Sequence, residues 1–311
     1  MKTQLKALED KLNQVLIGKR DAVRLALVGI LARGHILIED IPGIGKTTLA
    51  HGLARLIALN FQRIQFTSDL LPSDILGVAI FKQSREEFEF RPGPIFNSLV
   101  LADEINRANP RTQSALLEAM QERQVSIEGK TYPLPEPFFV IATQNPIEHH
   151  GTFPLPDSQL DRFLLSLNLD YPAPDSELEI LKTRSYAQSL DQLSPVITRE
   201  ALLALQQEVE KVEAKEELLD YLLKIVSATR NHPRLRLGAS PRASLGLKQA
   251  AKAYAFLLGR DYLVPDDLKA MSIPVLRHRL VLKQDTLDPD KRNQQSEIVL
   301  HEILDSIPVP I

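Results

Sequence analysis

Ile36-Leu-Ile-Glu-Asp-Ile-Pro-Gly-Ile-Gly-Lys-Thr-Thr-Leu-Ala50 carries a short apolar run into a Pro-Gly turn and then into Lys46-Thr47 at the start of a helical pattern. Ile36 to Ile38 read as a buried strand. Thr48-Leu-Ala-His-Gly-Leu-Ala-Arg-Leu-Ile57 repeats apolar residues at helical spacing. Strand, glycine turn and helix start together form a phosphate cradle. The backbone N–H groups of Gly43, Ile44 and Gly45 can converge on a triphosphate, Lys46 can reach its β- and γ-phosphates, and the Thr47 hydroxyl can ligate Mg²⁺. The nucleotide-binding segment is therefore read as Pro42 to Thr48. Asp40 stands where the first glycine of G-x-x-x-x-G-K-[ST] is expected, and the expectation is that Asp tolerates the turn dihedrals that position demands.

Working outward, five apolar runs alternate with helical or loop segments: His35 to Ile38, Arg63 to Phe66, Ser98 to Ala102, Phe138 to Ala142 and Phe163 to Leu169. That alternation predicts a parallel sheet flanked by helices, in which ligands bind at the carboxyl ends of the strands. Leu5 to Gly34 reads as two helices split near Ile17-Gly18-Lys19. Tyr171-Pro-Ala-Pro-Asp-Ser176 reads as a boundary, with Asp175 or Ser176 as the cap of the next helix. Beyond it the pattern is helical only, including Arg199 to Glu213, Lys215 to Arg230, Ser240 to Leu258 and Pro265 to Arg279. The expected organisation is an α/β core over residues 1–172 and a smaller all-α domain over residues 173–311, each around its own core.

Composition narrows the function classes. Hydrophobic residues make up 44% and charged residues 25% of 311, the proportions of a globular protein in water. Cys is absent, which removes disulfides and thiolate metal sites and favours a cytoplasmic location. The N-terminus lacks a signal-like apolar core and no run is long enough to span a bilayer, so no membrane insertion is expected. A net charge of −3 offers no general affinity for nucleic acid.

Two further strand ends carry chemistry. Asn97-Ser-Leu-Val-Leu-Ala-Asp-Glu104 ends an apolar strand in two carboxylates. Asp103 is expected to hold Mg²⁺ through water beside Thr47, and Glu104 to orient and polarise the attacking water. Phe138-Phe-Val-Ile-Ala-Thr-Gln-Asn-Pro146 ends in Asn145, which can hydrogen-bond that water or a γ-phosphate oxygen.

With these residues in view, the chain resembles the MoxR family of AAA+ ATPases. The matching stretches are Glu39 to Thr47, Leu71-Pro-Ser-Asp-Ile-Leu-Gly77, Pro92-Gly-Pro-Ile-Phe96, Ala102-Asp-Glu-Ile-Asn-Arg-Ala108, Thr112 to Met120, Ala142-Thr-Gln-Asn-Pro146, Leu160-Asp-Arg-Phe163 and Gly238-Ala-Ser-Pro-Arg242. The resemblance implies a P-loop NTPase core with a helical lid. It also implies ATP and Mg²⁺ as ligands, a homo-oligomeric, hexameric ring, and chaperone-like remodelling of a protein client, often one with a von Willebrand factor A domain.

By the same resemblance Arg162 is similar to the arginine finger that reaches a neighbouring subunit's nucleotide, the alternative being an ion pair with Asp157 or Asp161. Arg242 matches the sensor-2 position, in its own or a neighbouring subunit's site. Ile17 and Gly18 resemble the segment lining the adenine pocket, with Gly18 permitting close approach. Gln65 is placed to act as a polar switch on Glu104. Arg107 and Arg111 stand either at a subunit contact or on solvated surface.

The same resemblance implies inserted hairpins within Leu71 to Gly93 and Gln124 to Pro137, facing a pore or a client. Phe81, Phe88 and Phe90 read equally well as client contacts or as core. Glu148-His149-His150 is a poor ligand set and reads as a polar loop. A nucleic-acid motor is the alternative, yet Ser84-Arg-Glu-Glu-Phe-Glu-Phe90 carries more acid than base. A nucleotide-gated scaffold would not require Glu104.

Overall fold

The structure is a computed structural model that describes residues 2–84, 86–145, 151–182, 190, 193–283 and 289–310. Helices α1 (Lys2–Val15) and α2 (Arg20–Leu31) lead into strand β1 (Ile36–Glu39) and helix α3 (Lys46–Leu56). Strand β2 (Phe61–Gln65) is followed by a one-turn helix α4 (Pro72–Leu76) and the hairpin of β3 (Gly77–Lys82) and β4 (Glu87–Pro92). Strand β5 (Leu99–Asp103) leads to α5 (Pro110–Glu122), which Asn109 caps by accepting from the N–H groups of Arg111 and Thr112. A second hairpin, β6 (Gln124–Ile127) with β7 (Lys130–Pro133), precedes β8 (Phe139–Gln144), α6 (Asp157–Leu160) and β9 (Leu165–Leu167).

Strands β2, β5, β8, β1 and β9 lie side by side in that order, all parallel. Strands β1 and β5 are buried along their whole length, as expected of inner strands covered on both faces. The outer strand β2 is half-exposed and carries Gln62, Arg63 and Gln65. All five expected strands are present, and the loops that carry Lys46, Glu104 and Asn145 leave the carboxyl ends of β1, β5 and β8.

The remaining described residues hold helix α7 (Pro174–Lys182), α8 (Arg199–Lys211), α9 (Glu216–Asn231), strand β10 (Leu235–Leu237), α10 (Pro241–Leu257), α11 (Pro265–Leu276), strand β11 (Val281–Leu282) and α12 (Pro289–Ser306). Three expectations need correction. The segment is not helical only, because β10 and β11 pair antiparallel across more than forty residues of chain. Helix α7 begins at Pro174, so Asp175 and Ser176 lie inside its first turn and do not cap it. The apolar packing is also continuous: one buried cluster runs from Leu8, Leu27 and Leu53 through Ile36 and Leu165 to Leu247, Leu276 and Leu300. The opposite sheet face packs a second cluster around Phe66, Leu116, Val140 and Phe163.

Polar pairs reinforce the seam between β9 and the C-terminal helices. Arg277 donates to Ser166 Oγ at 2.8 Å, to Glu297 Oε1 at 2.7 Å and to Asn168 Oδ1. Arg292 donates to Asp157 Oδ1 at 2.6 Å, and Asn293 to Glu39 Oε2 at 3.2 Å.

Candidate functional site: two clefts at opposite ends of the sheet

The loop after β1 turns through two glycines into a helix start. Gly43 and Gly45 have φ of 86° and 105°, left-handed values that glycine adopts without strain. Helix α3 starts at Lys46, and its first-turn N–H groups have no intrahelical acceptor. Pro42, Gly43, Gly45, Lys46, Thr47, Thr48, Arg63, Asp103 and Glu104 line one open cavity. Lys46 is buried and donates its Nζ to the Asp40 carbonyl at 2.5 Å. Burial holds its ammonium pKa below the usual lysine value, against the pull of Asp40, Asp103 and Glu104. Thr47 is exposed and lines this cavity together with Asp103, and a hydroxyl with a carboxylate is an all-oxygen donor set suited to magnesium.

Asp40 departs from expectation. Its φ is not in the left-handed region; what it contributes is its carboxylate. That group accepts from the N–H of Ile41 at 2.9 Å, Leu169 at 2.5 Å and Asp170 at 2.8 Å. The root of the phosphate loop is thereby tied to the end of β9, and Lys19 Nζ closes the circuit on the Asp170 carbonyl at 2.6 Å.

Asp103 is held on both oxygens. Thr143 donates its hydroxyl to Oδ1 at 2.6 Å, and Arg63 donates Nε and Nη2 to Oδ2 at 3.0 and 2.6 Å. Thr143 Oγ1 also accepts from the Glu104 N–H at 2.8 Å, which aligns the two acids. Glu104 sits at φ 57°, and its Oε2 accepts from Gln65 Nε2 at 2.7 Å and Arg107 Nη1 at 2.9 Å. Gln65 thus touches Glu104, and Arg107 is paired within the chain. Asn145 is buried, with its carbonyl taking an Asn106 side-chain N–H at 3.4 Å. Pro146, Glu148, His149 and His150 lie outside the described residues.

Ile17 and Gly18 line a separate groove with Ser176 and Glu179 of α7 and Leu257 to Gly259. Gly18 has φ 77°, and a Cβ there would stand 2.7 Å from Ser176 Oγ, so its close approach is to α7. The neighbouring Leu16 side chain packs toward Gly45, with 3.2 Å to a Cβ built there, placing this segment next to the phosphate loop.

Arg162 and Arg242 are not in the phosphate cavity. Both line a second cleft with Arg33, His35, Arg123 and Arg279. Arg162 precedes β9, and Arg33 to His35 precede β1, so this cleft lies at the amino ends of strands whose carboxyl ends face Lys46. At roughly 3.3 Å per residue, a strand of this length puts about 13 Å between the two ends.

Arg242 donates to Gln121 Oε1 at 3.4 Å. The carboxylates that were alternative partners for Arg162 are committed elsewhere. Asp157 pairs with Arg292, and Asp161 accepts from Arg279 Nε at 2.8 Å and Ser240 Oγ at 3.0 Å. Ser240 caps the helix that carries Arg242. Burial lowers the pKa of Arg279 to about 10 even with Asp161 beside it.

Comparison with known proteins agrees with this architecture. The profile described as "ATPase family associated with various cellular activities (AAA)" matches residues 35–165, and the AAA lid domain profile matches residues 227–301. The Mycobacterium tuberculosis protein named Chaperone MoxR1 is 43% identical over 309 residues, covering 96% of this chain and 81% of that one. The chain belongs to the MoxR family of AAA+ ATPases. Protein MoxR of Paracoccus denitrificans is 31% identical over 97% of this MoxR-family chain and 95% of its own, and Bacillus subtilis YeaC is 48% identical over 97% and 93%. A solved structure from Cytophaga hutchinsonii, assigned as an ATPase, superposes with a TM-score of 0.88 at 37% identity, covering 100% of this chain and 96% of that one. No helix among the described residues is long and apolar enough to cross a membrane.

The sequence reading did not single out Arg63, Thr143 or the Asp161–Arg279 pair of this MoxR-family chain. Arg63 left one trace: it lies two residues before Gln65 on a strand, and that spacing puts both side chains on one sheet face.

Proposed function

We propose that this MoxR-family chain hydrolyses Mg-ATP as part of a ring of like subunits and uses the cycle to remodel a partner protein. In this reading residues 1–172 bind nucleotide and residues 173–311 form the lid. Lys46 binds the β- and γ-phosphates, the first-turn N–H groups cradle them, Thr47 and Asp103 hold the metal, and Glu104 with Asn145 positions water. Bound magnesium would supply charge neutralisation on the phosphate oxygens. Gln65 and Arg107 both donate to Oε2 of Glu104, which fixes the carboxylate and leaves Oε1 to orient that water.

The observation that carries the reading is the common cleft of Arg162 and Arg242 at the sheet end remote from Lys46. Two guanidiniums so placed are too far away to serve their own subunit's phosphates. They are well placed to serve a neighbour's when subunits pack head to tail, and a head-to-tail contact repeated with rotation closes a ring. A hexamer is the ring size proposed.

The exposed hairpin β3–β4 presents Val78, Ile80, Phe81 and Phe88. Phe90 at its base stacks on Tyr132 of the second hairpin, with ring centroids 4.1 Å apart. Apolar, mutually braced hairpins suit contact with a protein client, for which a von Willebrand factor A domain protein is the proposed class.

Mixing Arg162→Ala with Lys46→Ala tests the inter-subunit site. Each variant alone should be nearly inactive, since a finger of this type is worth ~10³-fold or more in rate. An equimolar mixture should recover turnover at about one site in four, the fraction of head-to-tail contacts that join an intact loop to an intact finger. Wild-type turnover by Arg162→Ala alone, or a mixture no better than its components, overturns the proposal.

A further inference from the structure

Strand β2 is the outer strand of the sheet, and its register sets Gln65 opposite Asp103 and Arg63 opposite Leu101. Side chains two residues apart share a face, so both lie beside the acidic strand end. Arg63 places Nε and Nη2 on a single oxygen of Asp103, Oδ2, while Thr143 occupies Oδ1. The same Nη2 donates to Gln65 Oε1 at 2.7 Å. The guanidinium also lines the phosphate cavity beside Lys46 and Thr47.

We propose that Arg63 is a built-in counter-cation for Asp103 that competes with a nucleotide-bound divalent metal for this carboxylate, and so sets how strongly nucleotide binding depends on metal. The proposal rests on the reading of Asp103 as the metal-facing acid. One carboxylate oxygen that receives both arms of a guanidinium fork cannot also take a hydrated dication in the same direction, and a unit charge repels a dication a few ångströms away. The Arg63 side chain is 49% exposed, so the pair is strong enough to hold Asp103 in place yet weak enough for a metal to open reversibly. Gln65 Oε1 gives the released guanidinium a second anchor next to the cavity. Metal-free nucleotide leaves the pair closed and meets a neutralised Asp103, whereas metal-bound nucleotide must open it.

The test measures dissociation constants of a fluorescent ADP derivative in Mg²⁺ and in EDTA for wild type, Arg63→Gln, Arg63→Lys and Asp103→Asn. The quantity read is the ratio of the EDTA value to the Mg²⁺ value. Arg63→Gln should raise that ratio roughly fivefold, the size of a half-exposed ion pair. Arg63→Lys should fall between, because it keeps the charge and loses the fork. An unchanged or lower ratio in Arg63→Gln, or a wild-type ratio in Arg63→Lys, overturns the competition. Asp103→Asn should bring the ratio close to one; if it leaves the ratio intact, the metal reading of Asp103 fails, and the proposal with it. Urea midpoints near wild type for both Arg63 variants establish that the readout is not a folding defect.

Discussion

Replacing Asp161 with Ala should destabilise this protein by about 3 kcal/mol, because it strands a guanidinium that has almost no contact with water. The Arg279 side chain is 4% exposed and its pKa is already lowered to about 10 with Asp161 present. Removing one partner of a buried pair costs about 3–5 kcal/mol in general. Two features put this case at the lower end. Arg279 also donates to the carbonyls of Phe163, Leu164 and Val275, and Asp161 is itself 22% exposed, so water can partly take its place.

The lost bond from Ser240 Oγ adds to the cost, since that residue caps the helix that begins at Pro241. Urea unfolding of nucleotide-free protein at pH 7 measures the change, with the slope m checked for constancy. A double-mutant cycle with Arg279→Met isolates the pair. The two single losses should exceed the double loss by at least about 1.5 kcal/mol. A loss under ~1 kcal/mol for Asp161→Ala, or strict additivity in the cycle, refutes the argument that this carboxylate neutralises Arg279.

Two more outcomes concern buried groups. His35 accepts the Val140 N–H on Nδ1 and faces the Met120 carbonyl with Nε2, and burial lowers its pKa to about 4. Between that value and about 6.5 the unfolded chain binds a proton that the native protein does not, so stability should fall as pH drops through this window, by about 3 kcal/mol in all. His35→Gln should flatten urea midpoints against pH there, and a slope matching wild type would count against it. Asp40→Gly restores the residue usual in phosphate loops, yet it should cost about 2–4 kcal/mol and weaken nucleotide binding, because three N–H groups lose their acceptor. A neutral or stabilising effect in urea unfolding would show that backbone freedom matters more at this position.

Much of the candidate site was legible because its signals are local. The run Ile36 to Ile38, the glycines at 43 and 45 and the Lys46 helix start encode strand, turn and helix within fifteen residues. The Asp103-Glu104 and Asn145 strand ends carry equally local patterns. Strands β10 and β11 were missed because two or three residues show no period, and they pair only once the chain returns. Helix α12 was missed because its inward face uses Asn293 and Ser296 as well as Val299, Leu300 and Ile303, which dilutes the apolar spacing.

By itself, then, the sequence determined a phosphate loop, an acidic strand end, an alternating α/β order and membership of a recognisable family. Tertiary structure alone decided that Asp40 anchors residues 169 and 170, that Arg63 caps Asp103, and that Arg162 and Arg242 meet at the sheet end away from Lys46. The physical reason is separation along the chain. Periodicity and turn chemistry act over a few residues, whereas these contacts join residues 40 to 130 apart and exist only through strand order and register.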